Sequence, residues 1–131
     1  MDRRRLQLLV YRIESHSGSW GEWKGGEKTE SGAIQIPYVV EAPILTEARQ
    51  FLNDNELTIV FDWPNWQEGR DFFKSEDPEK FDKLDQETVL KLLTAVMRNA
   101  RFNEGAWVSL FESGDGQKLF ARLLELQNVD E

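Results

Sequence analysis

Residues 98–114 read RNARFNEGAWVSLFESG, and the fold turns on whether this run is one helix or two. Its residues favour two helices joined by a tight corner. Upstream, Leu90, Leu93, Val96 and Met97 recur at three- and four-residue steps, one face of a helix that begins near Asp85, a suitable N-cap. Arg98 and Arg101 are expected in its last turn, where unpaired carbonyls and the negative end of the helix dipole favour cations. Asn103 is expected to cap a second helix, with Glu104 in its first turn and Trp107, Leu110 and Phe111 as its buried stripe. Glu112 falls on roughly the same side as Glu104, and Gly114 ends the helix as a left-handed cap. The corner thus carries four charged side chains. They suit either a salt-bridged corner or a site for an anion or a peptide.

Working outward, Leu6, Leu9, Val10 and Ile13 predict an amphipathic helix over residues 3–15, with Tyr11 and Arg12 near its edge. Its arginine-rich start opposes the dipole, so the arginines serve either packing or a basic arm. Residues 16–32 are rich in Gly and Ser and read as a mobile loop carrying Trp20 and Trp23. Those indoles either fold back on the core or stack on a ligand. Ala33–Ile36 and Leu57–Phe61 are β-branched stretches that suit a two-stranded ribbon. Between them, Pro43 opens a helix to about Leu52, with Ile44, Leu45, Ala48, Phe51 and Leu52 inward. In FDWPNW (61–66), Asp62 is expected to cap a helix running to about Lys74, with Trp63 and Trp66 bracketing its start. Residues 75–84 read as a solvent-facing link with a turn near Phe81. A last helix, from about Gln117 to Gln127, buries Leu119, Phe120, Leu123 and Leu124 before a frayed Asp130–Glu131 end.

The 131 residues suit one domain with a helical core over 37–127, and they include no cysteine. Disulfides, thiolate metal sites and cysteine nucleophiles are therefore excluded, and a cytoplasmic location is expected. The apolar run after Arg3–Arg5 is broken by Gln7, Arg12 and Glu14, which excludes a signal peptide or membrane span there. The net charge of −8 is concentrated: residues 54–87 hold eleven acids and four bases, a balance of −7. Phosphate-backbone binding needs a basic face, so direct nucleic-acid binding is not expected. An acidic face suits a basic protein partner.

Catalytic constellations are weak. His16 is the single histidine, with no nucleophile or orienting carboxylate at a defining spacing. Asp62, Glu68 and Asp71 beside tryptophans suggest a glycosidase-like acid pair. Capping and solvation account for them more simply. Phosphate-binding glycine loops, calcium loops and zinc motifs are absent, so neither a metal nor a cofactor is expected.

The run from Leu92 to Leu126 resembles the C-terminal half of a family of small bacterial and phage proteins known as domain of unknown function six-five-zero-eight. The resemblance rests on Leu92–Ala95, Arg98 with Arg101–Gly105, Phe111–Gly114 and Leu119–Leu124, with Phe61–Trp66 and Pro37–Val39 upstream. It implies no reaction, cofactor or substrate. Ala100 departs from the acidic residue common at that position in relatives.

The expected fold is a mainly α, single-domain bundle of about five helices, with at most a small two-stranded ribbon. The preferred function is a non-enzymatic acidic interaction protein that docks Asp62, Trp63, Trp66, Glu76, Asp77, Glu79 and Asp82 on a basic protein surface. The bacterial and phage resemblance suggests a regulator or inhibitor of nucleic-acid machinery, of anti-defence type. The second reading is a small anionic-ligand or nucleotide binder using Arg98, Arg101, Glu104, Glu112, Trp20 and Trp23. A carboxylate-dependent hydrolase is third. Oligomeric state is open.

Overall fold

A computed structural model describes residues 1–26, 30–34 and 36–127. Among the described residues six α-helices are present where about five were expected: α1 (Arg3–Glu14), α2 (Pro43–Asp54), α3 (Gln67–Lys74), α4 (Gln86–Asn99), α5 (Ala106–Glu112) and α6 (Asp115–Gln127). A 3-10 turn, Trp63–Asn65, precedes α3. One antiparallel ribbon pairs β1 (Gly21–Lys24) with β2 (Tyr38–Glu41), with Trp23 opposite Val39 and Glu22 opposite Val40. Helix α6 packs against α1, α4 and α5.

The periodicity of α1 predicts its inner face correctly: Leu6, Leu9, Val10 and Ile13 are buried. Each such burial is worth about 1.5–3 kcal/mol before ordering costs. Asp2 caps α1 by accepting the Arg5 N–H at 3.0 Å, which sets an anion against the dipole. Two of the helix's arginines serve packing rather than an arm. Arg5 pairs with Asp54 at 3.0 Å, and Arg12 forks onto both oxygens of Glu47 at 2.6 and 3.1 Å. Together with the Asp2 N–H bond to Asn55 Oδ1 at 2.8 Å, these pairs lay α1 antiparallel to α2.

The five inward residues expected of α2 are buried. Above them, the Trp107 indole N–H donates to the Leu45 carbonyl at 3.0 Å. Its ring lies 5.3 Å from Phe111 and 6.5 Å from Phe120. Helices α5 and α6 meet closely because position 116 is glycine: a Cβ there would lie 2.8 Å from Phe111 Cδ1. Asp85 caps α4 as expected, accepting the Thr88 N–H at 2.8 Å.

The ribbon is where the structure departs from expectation. Neither Ala33–Ile36 nor Leu57–Phe61 supplies its strands; the first of the real strands lies inside the expected loop, at Gly21–Lys24. The reason is seating. A Cβ on residue 21 would lie 2.8 Å from Val108 Cγ2, so the glycine lets β1 lie on α5. Residues 57–60 belong to no strand, and the Ile59 N–H donates to the Thr94 hydroxyl of α4 at 3.2 Å instead. The expected loop's residues 27–29, Gln35 and the expected frayed end lie outside the described residues.

Candidate functional site

The corner after α4 differs from the capped pair of helices that its sequence suggests. Helix α4 ends at Asn99, so Arg101 lies beyond the helix rather than in its last turn. Its N–H and those of Phe102 and Asn103 turn back to the carbonyls of Arg98 and Asn99 at 2.8–3.2 Å. Gly105, at φ 94°, then redirects the chain, and α5 starts at Ala106. Asn103 therefore does not cap α5, and Glu104 stands outside its first turn. Freed from that duty, Glu104 Oε1 accepts the Val39 N–H of β2 at 2.7 Å. Among the described residues, no ion pair joins Arg98 or Arg101 to Glu104 or Glu112.

Three adjoining depressions cross this corner. The first, of about 210 Å³, is lined by Trp63, Trp66, Arg70, Phe73, Val96 and Asn99, among others. Phe73, Val96 and Asn99 also line the second, of about 260 Å³, which continues past Asn103 and Ser109 to Asp115. Asn103 and Ser109 in turn line the third, of about 260 Å³, with Trp23, Val39, Glu104 and Glu112. The shared walls make one groove running from Trp63 to Trp23. Arg98 and Arg101 line none of it.

Local geometry sets the aromatic end. Position 69 is glycine because the Trp66 ring lies on α3 there; a Cβ would be 2.4 Å from Trp66 Cε3. Trp66 meets Phe61 edge-on at 5.2 Å. Trp63 is half-buried, 6.3 Å from the ring of Phe102, which is 82% exposed. The Arg70 guanidinium donates to the Pro64 carbonyl and braces the 3-10 turn. Asp62, expected as a backbone cap, instead accepts the Asn65 side-chain amide at 2.9 Å.

Beyond α3, Glu76, Asp77, Glu79 and Asp82 are all exposed. The Glu79 N–H, then Lys83, holds the Asp77 carboxyl below its ordinary range. Lys80 points inward. Its ammonium donates to the carbonyls of Phe72 and Ser75 at 2.8 and 2.9 Å and lies 4.7 Å from the Phe72 ring. The link therefore turns a positive charge into the fold and its carboxylates outward.

The remaining catalytic candidates are spread apart. The Asp71 carboxylate accepts from Gln67 at 2.8 Å, and Asp62, Glu68 and Asp71 line none of the groove. His16 contacts the Ser19 carbonyl at 3.0 Å, and its ring lies 4.2 Å from that of Trp20, tilted by 35°. Trp20 itself is half-buried, 5.5 Å from Phe111, whereas Trp23 is 61% exposed. Among the described residues, no group of three or more His, Cys, Asp or Glu is placed to hold a metal. No helix among them is long and apolar enough to cross a membrane. Sequence reasoning missed Gly69, Arg70, Phe73 and Ser109 as groove residues. Only the W-x-x-G spacing of Trp66 and Gly69 offered a signal.

These features define a small helical domain with one core, a ribbon pinned to an interhelical corner, and an aromatic groove edged by carboxylates. The chain belongs to the family of unknown function DUF6508, whose model matches residues 1–129 and so includes the segment before Pro37. Neither curated proteins nor solved structures give a match. The stretches that carry the resemblance meet in space: Val39 bonds Glu104, and Trp63 lies beside Phe102.

Proposed function

We propose that this protein is a non-enzymatic interaction domain that covers a basic surface of another protein. The observation that carries the reading is that the Trp63–Trp66 end of the groove opens within the segment whose charge balance is −7. An aromatic depression supplies the desolvated anchor that slows dissociation, and the exposed acids of the 75–84 link steer association. Carboxylates on the walls of the groove disfavour an anionic ligand. Nucleic-acid machinery presents basic surfaces, so a regulator or inhibitor that occupies such a surface fits this chemistry.

The test is binding to a panel of purified basic nucleic-acid-binding proteins, with acidic proteins as controls, at about 50 and about 200 mM salt. At least one basic protein should bind, more weakly at the higher salt. Charge reversal at Glu76, Asp77, Glu79 and Asp82 should slow its association. Trp63→Ala should speed its dissociation. Binding that ignores both changes would remove the reading.

A further inference from the structure

We infer that the groove takes its partner as a linear peptide segment held at two points: an apolar side chain among Trp63, Trp66 and Phe73, and a lysine or arginine whose cation lies against Trp23 between Glu104 and Glu112. This rests on the interaction reading above and specifies what the partner presents.

Three observations carry it. The groove is continuous, since each of its depressions shares walls with the next, and each of these has the volume of one or two side chains rather than of a domain face. Its ends differ chemically. At one, indole and phenyl rings surround an apolar floor that includes Ala95 and Val96. At the other, an exposed indole stands with two carboxylates in one concavity. An indole face attracts a cation through its quadrupole, and carboxylates bind ammonium or guanidinium by charge-assisted hydrogen bonds.

That second end is also held in place before any ligand arrives. Glu104 grips the Val39 N–H with one oxygen, and its other oxygen has no hydrogen bond among the described residues. The Glu112 carboxylate has neither a hydrogen bond nor an ion pair among them. Trp23 sits over Gly105, where a Cβ would lie 3.1 Å from its Cζ2. A positioned ring beside two available carboxylates needs little reorganisation to receive a cation.

The experiment is selection of a displayed random-peptide library on the intact protein, followed by affinity measurement of the recovered peptides by fluorescence anisotropy. The recovered sequences should share an aliphatic or aromatic residue and a lysine or arginine at a fixed separation. Trp63→Ala should abolish their binding. The double variant E104Q/E112Q keeps an acceptor for Val39 and should weaken these peptides roughly tenfold. It should leave unchanged the same peptides carrying methionine in place of the basic residue. Amide exchange at Val39 checks that the ribbon of the double variant is intact. If no peptide binds although a folded basic protein does, the two-point mode is wrong and the interaction reading stands. The two-point mode is equally wrong if the basic preference responds to reversal of Glu76, Asp77, Glu79 and Asp82 but not to E104Q/E112Q. Peptides recovered with no basic preference would overturn both.

Discussion

Glu104 shows how one side chain changes its task when its partner is distant in sequence. Local reasoning puts it in the first turn of α5, where a helix dipole favours an acid; the structure gives it to Val39, 65 residues away. No periodicity or capping rule reaches that far, so this contact was not legible. Glu104→Ala should cost about 1 kcal/mol and accelerate exchange of the Val39 amide, whereas Glu104→Gln should largely preserve protection because an acceptor oxygen remains. Equal acceleration in both variants would place the hold on β2 elsewhere. Asp85, by contrast, was legible, because a cap and its N–H lie three residues apart. The Thr88 hydroxyl and then its backbone N–H lower the Asp85 pKa below the ordinary 3.8. A depressed folded-state pKa contributes stability above the unfolded value and loses it as pH falls through the folded value. Asp85→Asn keeps an acceptor but cannot titrate. Its urea midpoint should therefore differ from wild type by a constant amount above about pH 5, with the wild-type advantage shrinking towards pH 3. A difference that persists unchanged at the acid end would show that the charge of Asp85 adds nothing.

At the scale of elements, the inner faces of α1 and α2 were readable because the 3.6-residue period is a local property, and both bury the residues it selects. The ribbon was not, because strand propensity leaves the partner unspecified and the real strands are chosen by a seat on α5. Helix α3 is an intermediate case. Its single fully buried residue is Gly69, and the Trp66 ring occupies the space where a side chain would stand. Helix propensity alone predicts that Gly69→Ala stabilises by about 1 kcal/mol. The Cβ distance of 2.4 Å to an aromatic ring decides the other way, because the whole ring must move. Gly69→Ala should destabilise by about 1–3 kcal/mol and red-shift the tryptophan emission as Trp66 is displaced. In a Trp66→Ala background the same change should become neutral or stabilising, a coupling that a double-mutant cycle reads directly. Additive effects would mean that Trp66 does not set the constraint at position 69.

For the whole molecule the informative quantity is the placement of charge rather than its total. The net charge is −8, and residues 54–87 alone carry −7. Part of that is structural: Asp54 pairs with Arg5, and Asp85 caps α4. The 75–84 link differs, because Lys80 is folded against Phe72 while Glu76, Glu79 and Asp82 remain exposed. This concentration and the solvent-facing character of the 75–84 link were legible in the sequence, but the inward turn of Lys80 was not, since it depends on contacts with Phe72 and Ser75. Like charges held close together repel, so such a surface works against the folded state. Added salt screens that repulsion over about 8–10 Å at ionic strengths of 0.1–0.15 M. The melting temperature should therefore rise by about 2–5 °C between very low and physiological salt, the shift expected of a small change in stability for a domain of this size. The triple variant E76Q/E79Q/D82N should start higher at low salt and respond less. If instead it melts lower than wild type, these carboxylates stabilise the fold, and their exposure no longer argues for a partner. A higher melting point in the neutralised protein would mean that the acidic link is retained at a cost to stability, which is the behaviour expected of a surface that meets a basic molecule.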